Sequence, residues 1–238
     1  MKTSVILCLA LCIVSLTSFK INDKKATSGL YPSITEYIKS CEKDFAQIPA
    51  DRKIEIKKIA AFIQTKLNTE KKVSLIYICT HNSRRSHTGQ LWALAAAEYY
   101  GIKGVSAYSG GLEITAFNAN AVEALNDAGF RITKKTEKAN PNFESRYATN
   151  APAVISFSKK YMDAPNPTSN FVAIMTCSHA DAACPIVHGA AIKVATPYED
   201  PKEADGTPQQ DKVYKERCRQ IATEVLYCFS LVKTNAGA

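Results

Sequence analysis

No stretch of this chain repeats another and no low-complexity tract interrupts it, which removes solenoids, propellers and disordered linkers from consideration. Its longest apolar run, residues 4–18, is too short to span a bilayer comfortably. Eight cysteines occur, but nowhere as the paired Cys-x-x-Cys blocks of a zinc ribbon, and they are too dispersed for a small disulfide scaffold. The net charge is +8, yet the lysines never gather into a tract with interleaved aromatics, so nucleic acid is not the expected partner. A small oxyanion suits this charge better. What is present is a chain of 238 residues, 46% hydrophobic, long enough for one ordinary domain with a real core and an extension.

The short charged start Met1-Lys2-Thr3, the apolar run and the polar residues 20–25 follow the order of a secretory signal. Ser15 and Thr17 are small residues at the expected cleavage spacing, whereas a lipoprotein site at Cys12 would place bulky Leu11 before the cysteine. Residues 1–20 are therefore read as a signal peptide, and the chain as exported, periplasmic or held at a membrane through its N-terminus. An uncleaved N-terminal helix on a cytoplasmic protein is the alternative.

Residues 31–44 and 51–67 carry apolar side chains at helical spacing, for example Ile54, Ile56, Ile59, Ala60 and Ile63. Ser33 and Asp51 are the candidate caps, and Pro49 marks the break between two helices of an extension covering residues 21–70. From residue 71 to 238 the pattern becomes strand, loop and helix in alternation, the mark of an α/β domain with a parallel sheet. Four core strands are expected at residues 73–78, 105–109, 171–176 and 192–196. Helices are expected at 86–100, 117–128 and 214–232, the first two ended by Gly101 and Gly129. Residues 131–170 are polar and rich in Asn and Pro, with one short strand at 153–157.

Ligands bind beyond the carboxyl ends of strands in such a sheet, and three clusters fall there. The first is Cys79-Thr80-His81-Asn82-Ser83-Arg84-Arg85-Ser86. Five loop residues between a cysteine and an arginine let successive backbone N–H groups, a guanidinium fork and a helix N-terminus converge on one tetrahedral anion. A positive field of this kind lowers a cysteine's pKa and makes it a nucleophile. Cys79 is thus the expected nucleophile. The amides of Thr80, His81, Asn82, Ser83 and Arg84, with Arg85, are the oxyanion donors; Ser86 bonds the thiolate; and Asn82 organises the turn.

The second cluster, Cys177-Ser178-His179-Ala180-Asp181-Ala182-Ala183-Cys184-Pro185, places six residues between two thiols. They can pair if the loop rearranges to bring their Cα atoms within about 7 Å. Two inert core cysteines are the other reading. Cys177, His179, Cys184 and His188 also offer two thiolates and two imidazoles to zinc, although their spacing matches no usual zinc module. His81 and His87 either add positive charge at the anion loop or sit on its surface. The third cluster, Tyr198-Glu199-Asp200-Pro201-Lys202, offers Asp200 as general acid, with Glu199 and Asp205 as rivals. Cys218 and Cys228 fall on the last helix, about 80° apart at ideal helical spacing, and read as core.

From about residue 73 to 232 the chain resembles the low-molecular-weight protein tyrosine phosphatases, and within them the thiol-coupled, thioredoxin-type arsenate reductases. Cys79, Asn82, Arg85 and Ser86 match the shared anion loop, Glu199-Asp200-Pro201 the general-acid loop, and Met175 to Asp181 with Cys184-Pro185 the redox segment of the reductase branch. The resemblance implies a four-stranded parallel sheet flanked by helices, with the extension at its N-terminus. It also implies a relay in which Cys79 attacks arsenate, Cys177 displaces arsenite by pairing with Cys79, and Cys184 then takes Cys177. The exposed disulfide is left for thioredoxin or a similar thiol reductant, with no metal or organic cofactor.

There are departures. His81 stands where glycine is usual and Arg84 where a cysteine or similar residue is common. Gln90 stands where the potassium-linked reductases carry an acidic residue. The helical extension and an insertion around residues 161–170 lie outside the minimal pattern, and an exported relay needs a thiol donor outside the cytosol. The readings are, in order, a thiol-dependent arsenate reductase, a phosphatase cleaving a phosphocysteine with water, and a non-catalytic oxyanion-binding module. A monomer is the expected state.

Overall fold

The computed structural model describes residues 29–234, so the signal-like residues 1–20 lie outside the described residues. Strands β1 (Val73–Cys79), β2 (Val105–Gly111), β6 (Phe171–Met175) and β7 (Ala190–Ala195) form one parallel sheet in the order β2-β1-β6-β7. The most apolar strands, β1 and β6, hold the centre, where both faces are covered.

Alternate side chains divide between two apolar clusters. Leu75, Tyr77, Val172, Ile174 and Val194 face the helices, whereas Ile76, Ile78, Ala173 and Met175 face a smaller cluster. On the first side lie α1 (Pro32–Glu42), α2 (Ala50–Glu70), α3 (Arg85–Tyr99), α4 (Ala119–Asp127) and α6 (Gln210–Ser230). On the second lie α5 (Ser178–Ala183) and loops bearing Tyr161 and Val187. Helix α3 is Ala-rich and buried on almost every side, as a helix trapped between a sheet and α6 must be. Gly89 lets it come that close: a Cβ there would lie 2.3 Å from the Tyr77 ring.

The extension shares this core. Ile34, Ile38 and Cys41 of α1 and Ile56, Ile59 and Ile63 of α2 are buried in the same cluster as the sheet. Arg219 of α6 ties down the end of α1, donating to Asp44 Oδ2 at 2.6 and 2.9 Å and to Ser40. Ile54, counted in the apolar stripe of the second helix, is exposed.

Neither expected cap forms. Helix α1 starts after Tyr31 with Pro32 as its first residue, where a missing N–H is harmless, and Ser33 Oγ instead donates to Gly129 O at 3.4 Å. Helix α2 starts after Pro49, and Asp51 sits inside its first turn, where the negative charge favours the helix dipole.

Residues 131–156 hold more order than their polarity suggests. Strands β3 (Arg131–Lys134), β4 (Phe143–Arg146) and β5 (Val154–Ser156) make a second, antiparallel sheet in the order β3-β4-β5. These strands are three or four residues long and bury single positions such as Ile132, Phe143 and Ser145, too few to register as an alternating pattern. Helix α5 departs from the expected surface loop; it fills the whole interval between Cys177 and Cys184.

Candidate active site

Cys79 is the last residue of β1, and the chain leaves the sheet there because Gly111 at the end of β2 lies against the loop. A Cβ on Gly111 would meet Asn82 N at 2.7 Å and Thr80 O at 2.8 Å, so only glycine permits this approach. Asn82 turns the loop with φ +44°, a left-handed value that asparagine tolerates. Its side chain locks the turn from inside: Nδ2 donates to Ser86 Oγ at 2.9 Å, and Oδ1 accepts from the Lys159 amide at 2.9 Å.

The carbonyls of the loop point away from its centre. Thr80 O accepts from the amides of Leu112 and Glu113, His81 O from the hydroxyls of Thr115 and Ser158, and Ser83 O from the Asn118 amide. No acceptor among the described residues takes the N–H groups of His81 to Arg85. Peptide groups whose carbonyls are tied outward present their amides inward, which is the polarity an anion needs.

Cys79 is 3% exposed, and its Sγ stands 3.1 Å from Ser86 Oγ. Arg85 opens α3 and is buried, with Nη1 donating to Tyr198 O at 2.8 Å, Nη2 to Asp200 Oδ2 at 2.5 Å, and Nε buried with no partner. Asp200 Oδ1 accepts from the Lys202 amide. Of its rivals, Asp205 is held outside the cleft by Arg84 and the Tyr214 hydroxyl, and Glu199 is exposed. Arg84 faces the same way: Nε donates to Tyr214 Oη at 2.7 Å, so its side chain braces the acid loop and only its amide belongs to the cradle.

The redox segment reaches this loop. Cys177, 3% exposed, has its Sγ 3.4 Å from Thr80 Oγ1, and the same hydroxyl stands 3.2 Å from His179 Nδ1. Cys79 and Cys177 share the smaller apolar cluster, with half-buried Cys184 packed against it. Together with Arg85, Glu113 and Asp200 these segments line an open cleft of about 540 Å³.

Two sequence readings need correction. His87 neither charges the loop nor sits on its surface: it is fully buried, stacked on Phe117 with ring centroids 4.1 Å apart, and bonded to Ser109. Burial, with the nearby Lys159 charge, pushes its pKa well below the ordinary value, so the ring is neutral. His81 does sit at the rim, 41% exposed and 3.5 Å from Glu113. The zinc alternative fails, because His179 bonds Thr80 and Cys184 Sγ donates to Ile186 O. No cluster of three or more metal-binding side chains occurs among the described residues. Gln90 donates its amide to Ala107 O at 3.1 Å and brings no charge, while its Oε1 is buried without a hydrogen-bond partner among the described residues.

Three contributors escaped the sequence reading. Lys159 is 4% exposed, its amide holds Asn82, and burial lowers its pKa to about 8. Arg52 of the extension donates to Pro197 O at 2.5 Å, and the Thr80 hydroxyl bridges Cys177 to His179. Lys159 and Arg52 stand among other basic residues with no pattern to single them out, and the bridge exists only in space.

No protein-family model matches the chain. An arsenate reductase of Bacillus cereus is 27% identical over 132 residues, covering 56% of this chain and 79% of that protein. The arsenate reductase of Bacillus anthracis is 28% identical over the same shares. Over this stretch the chain is similar to these arsenate reductases. A solved YwlE mutant from Bacillus subtilis superposes with TM-score 0.45 and 14% identity, covering 67% of this chain and 97% of that one. The four-stranded parallel sheet flanked by helices that the sequence led us to expect is present.

Proposed function

We propose that the protein is a thiol-dependent arsenate reductase working through Cys79, Cys177 and Cys184. The observation that carries this reading is the Thr80 hydroxyl bridge, which couples the redox segment directly to the nucleophile loop. Cys79 Sγ attacks arsenic, the loop amides and Arg85 hold the oxyanion, and Asp200 protonates the departing oxygen. For Arg85 to serve, its fork turns from Asp200 toward the substrate, and the released carboxyl is then free to take up the proton it donates.

Cys177 Sγ next attacks Cys79 Sγ. The sulfur–sulfur bond forms as the sulfur–arsenic bond breaks, its electron pair stays on arsenic, and arsenic(V) leaves as arsenite. The two sulfurs supply the two electrons. Cys184 then attacks Cys177 Sγ and returns Cys79 as thiolate, which requires α5 to rearrange until the two Cα atoms lie within about 7 Å. Half-buried Cys184 presents the resulting disulfide to a thioredoxin-like or other thiol reductant. No step calls on a cofactor. On the sequence reading of residues 1–20 the enzyme is exported and uses a donor outside the cytosol, which the mass of the mature N-terminus tests.

Phosphatase chemistry is the second reading, favoured by the same cradle and acid, with water cleaving a phosphocysteine on Cys79 and Cys177 only protecting it from oxidation. Cys177→Ser and Cys184→Ser separate the two. Each is expected to abolish arsenate turnover and spare p-nitrophenyl phosphate hydrolysis, while Cys79→Ser abolishes both. Unchanged arsenate reduction in either variant sinks the relay. Arsenate binding without turnover of either substrate assigns a non-catalytic module.

A further inference from the structure

The hydroxyl of Thr80 lies between a buried thiol and an imidazole that opens to solvent. Cys177 Sγ to Thr80 Oγ1 is 3.4 Å, and Thr80 Oγ1 to His179 Nδ1 is 3.2 Å. Cys177 is buried, whereas His179, two residues on in the first turn of α5, is exposed. A thiol must lose its proton before it attacks, and a sulfur as little exposed as that of Cys177 is served by a polar group in contact with it that takes the proton on.

We propose that Thr80 and His179 form a proton wire that generates the Cys177 thiolate, an inference that rests on the relay read above. The neutral imidazole carries its proton on Nε2 and leaves Nδ1 as acceptor. Thr80 Oγ1–H donates to Nδ1, and a lone pair of the same oxygen faces the Cys177 thiol. In the step itself the S–H bond breaks and its proton bonds to Thr80 Oγ1, while the threonine's own proton passes to His179 Nδ1. The electron pair left on Cys177 Sγ forms the bond to Cys79 Sγ. The imidazolium then sheds its Nε2 proton to solvent, and exchange with water moves the remaining proton from Nδ1 to Nε2, which makes Nδ1 an acceptor again and resets the wire. His179 touches no reacting atom, so it is a positioning and relay residue that acts through Thr80.

Labelling of Cys177 by iodoacetamide, read by peptide mass mapping on the full chain, tests the wire without arsenate or a thiol donor. His179→Ala and Thr80→Val are each expected to slow labelling by about tenfold or more, the low end of what a positioned base supplies. The double variant should be no slower than either single one, because both cut the same path. Added imidazole should restore labelling in His179→Ala but not in Thr80→Val, and Thr80→Ser should stay near the unaltered rate.

Unchanged labelling in His179→Ala overturns the proposal. So does a slowing that imidazole leaves untouched while Thr80→Ser is as slow as Thr80→Val, since that marks a packing effect. The relay fails separately: if Cys177→Ser still reduces arsenate while His179→Ala slows labelling, the relay is wrong and the wire stands.

Discussion

Arg85 Nη2 and Asp200 Oδ2 stand 2.5 Å apart, so the arginine assigned to the oxyanion and the carboxylate assigned to its leaving oxygen are paired with each other. Both residues line the open cleft, and Arg84 Nε, 3.9 Å from Asp200 Oδ1, adds to the pair from outside. An anion entering the cradle competes with Asp200 for the arginine. On the proposed mechanism, binding thereby frees the acid at the moment it is needed.

Asp200→Asn keeps the shape and removes the proton. Turnover of aryl phosphates is expected to fall about 100-fold, with the loss shrinking as the leaving phenol becomes more acidic. A series of substituted phenyl phosphates measures this, and a constant loss across the series would exclude Asp200 as the acid.

The extension reaches the same loop. Arg52 Nη2 bonds Pro197 O, its Nε lies 3.6 Å from Glu224 Oε2, and its guanidinium sits over the Tyr198 ring at 5.3 Å. Glu224 is buried, and burial raises its pKa against the opposing charge of Arg52. Arg52→Met removes one opposing charge from that carboxylate, which keeps Gln220 as a hydrogen-bond partner and Arg217 as a further charge, and is expected to cost about 3 kcal/mol. Adding Glu224→Gln should return most of the stability but not the turnover, about tenfold down, because the tether on the acid loop is still gone. Denaturant melts and initial rates on both variants separate the two effects.

Asn82→Ala loses both side-chain bonds and forces alanine into the left-handed region. A cost of about 1–2 kcal/mol from the backbone alone is expected, with oxyanion affinity falling along with turnover. Asn82→Gly should recover stability without recovering activity, since it relieves the backbone but takes away the donor to Ser86 Oγ and leaves the Lys159 amide unpartnered. Arsenate affinity by calorimetry and thermal melts check this.

Lys159 gives stability a pH dependence of unusual sign. Its folded pKa of about 8 lies below the ordinary lysine value of about 10.4. Below pH 8 folded and unfolded chains both hold the proton, and the burial of that charge costs in full. Between about pH 8 and 10.4 only the unfolded chain holds it, so stability rises with pH, by on the order of 3 kcal/mol in all. Lys159→Met should be the more stable protein at pH 7 and should lack this rise. Buried Cys41, Cys218 and Cys228, whose thiols burial pushes up, lower stability over the same range, so the difference in denaturant midpoints between the unaltered protein and Lys159→Met from pH 7 to 10 isolates the lysine.

How much was legible beforehand depended on the length of each signal. Strands β1, β2, β6 and β7 and helices α2, α3 and α6 came within a few residues of their observed bounds, because each repeats its pattern over several positions. Strands β3 and β4 did not, having one or two buried residues apiece. The caps at Ser33 and Asp51 failed because the prolines before them, Pro32 and Pro49, set where each helix starts.

The sequence by itself determined the cysteine loop, the order of strands and helices and the two thiols of the redox segment, since all depend on residues close together in the chain. Only the tertiary structure decided that Arg85 faces Asp200, 115 residues away, and that Thr80 joins Cys177 to His179 across 97 and 99. It alone buried His87 as a neutral ring and carried Arg52 of the extension to the acid loop. Contacts over such separations follow from packing the sheet ends together, and no local pattern of residues encodes them.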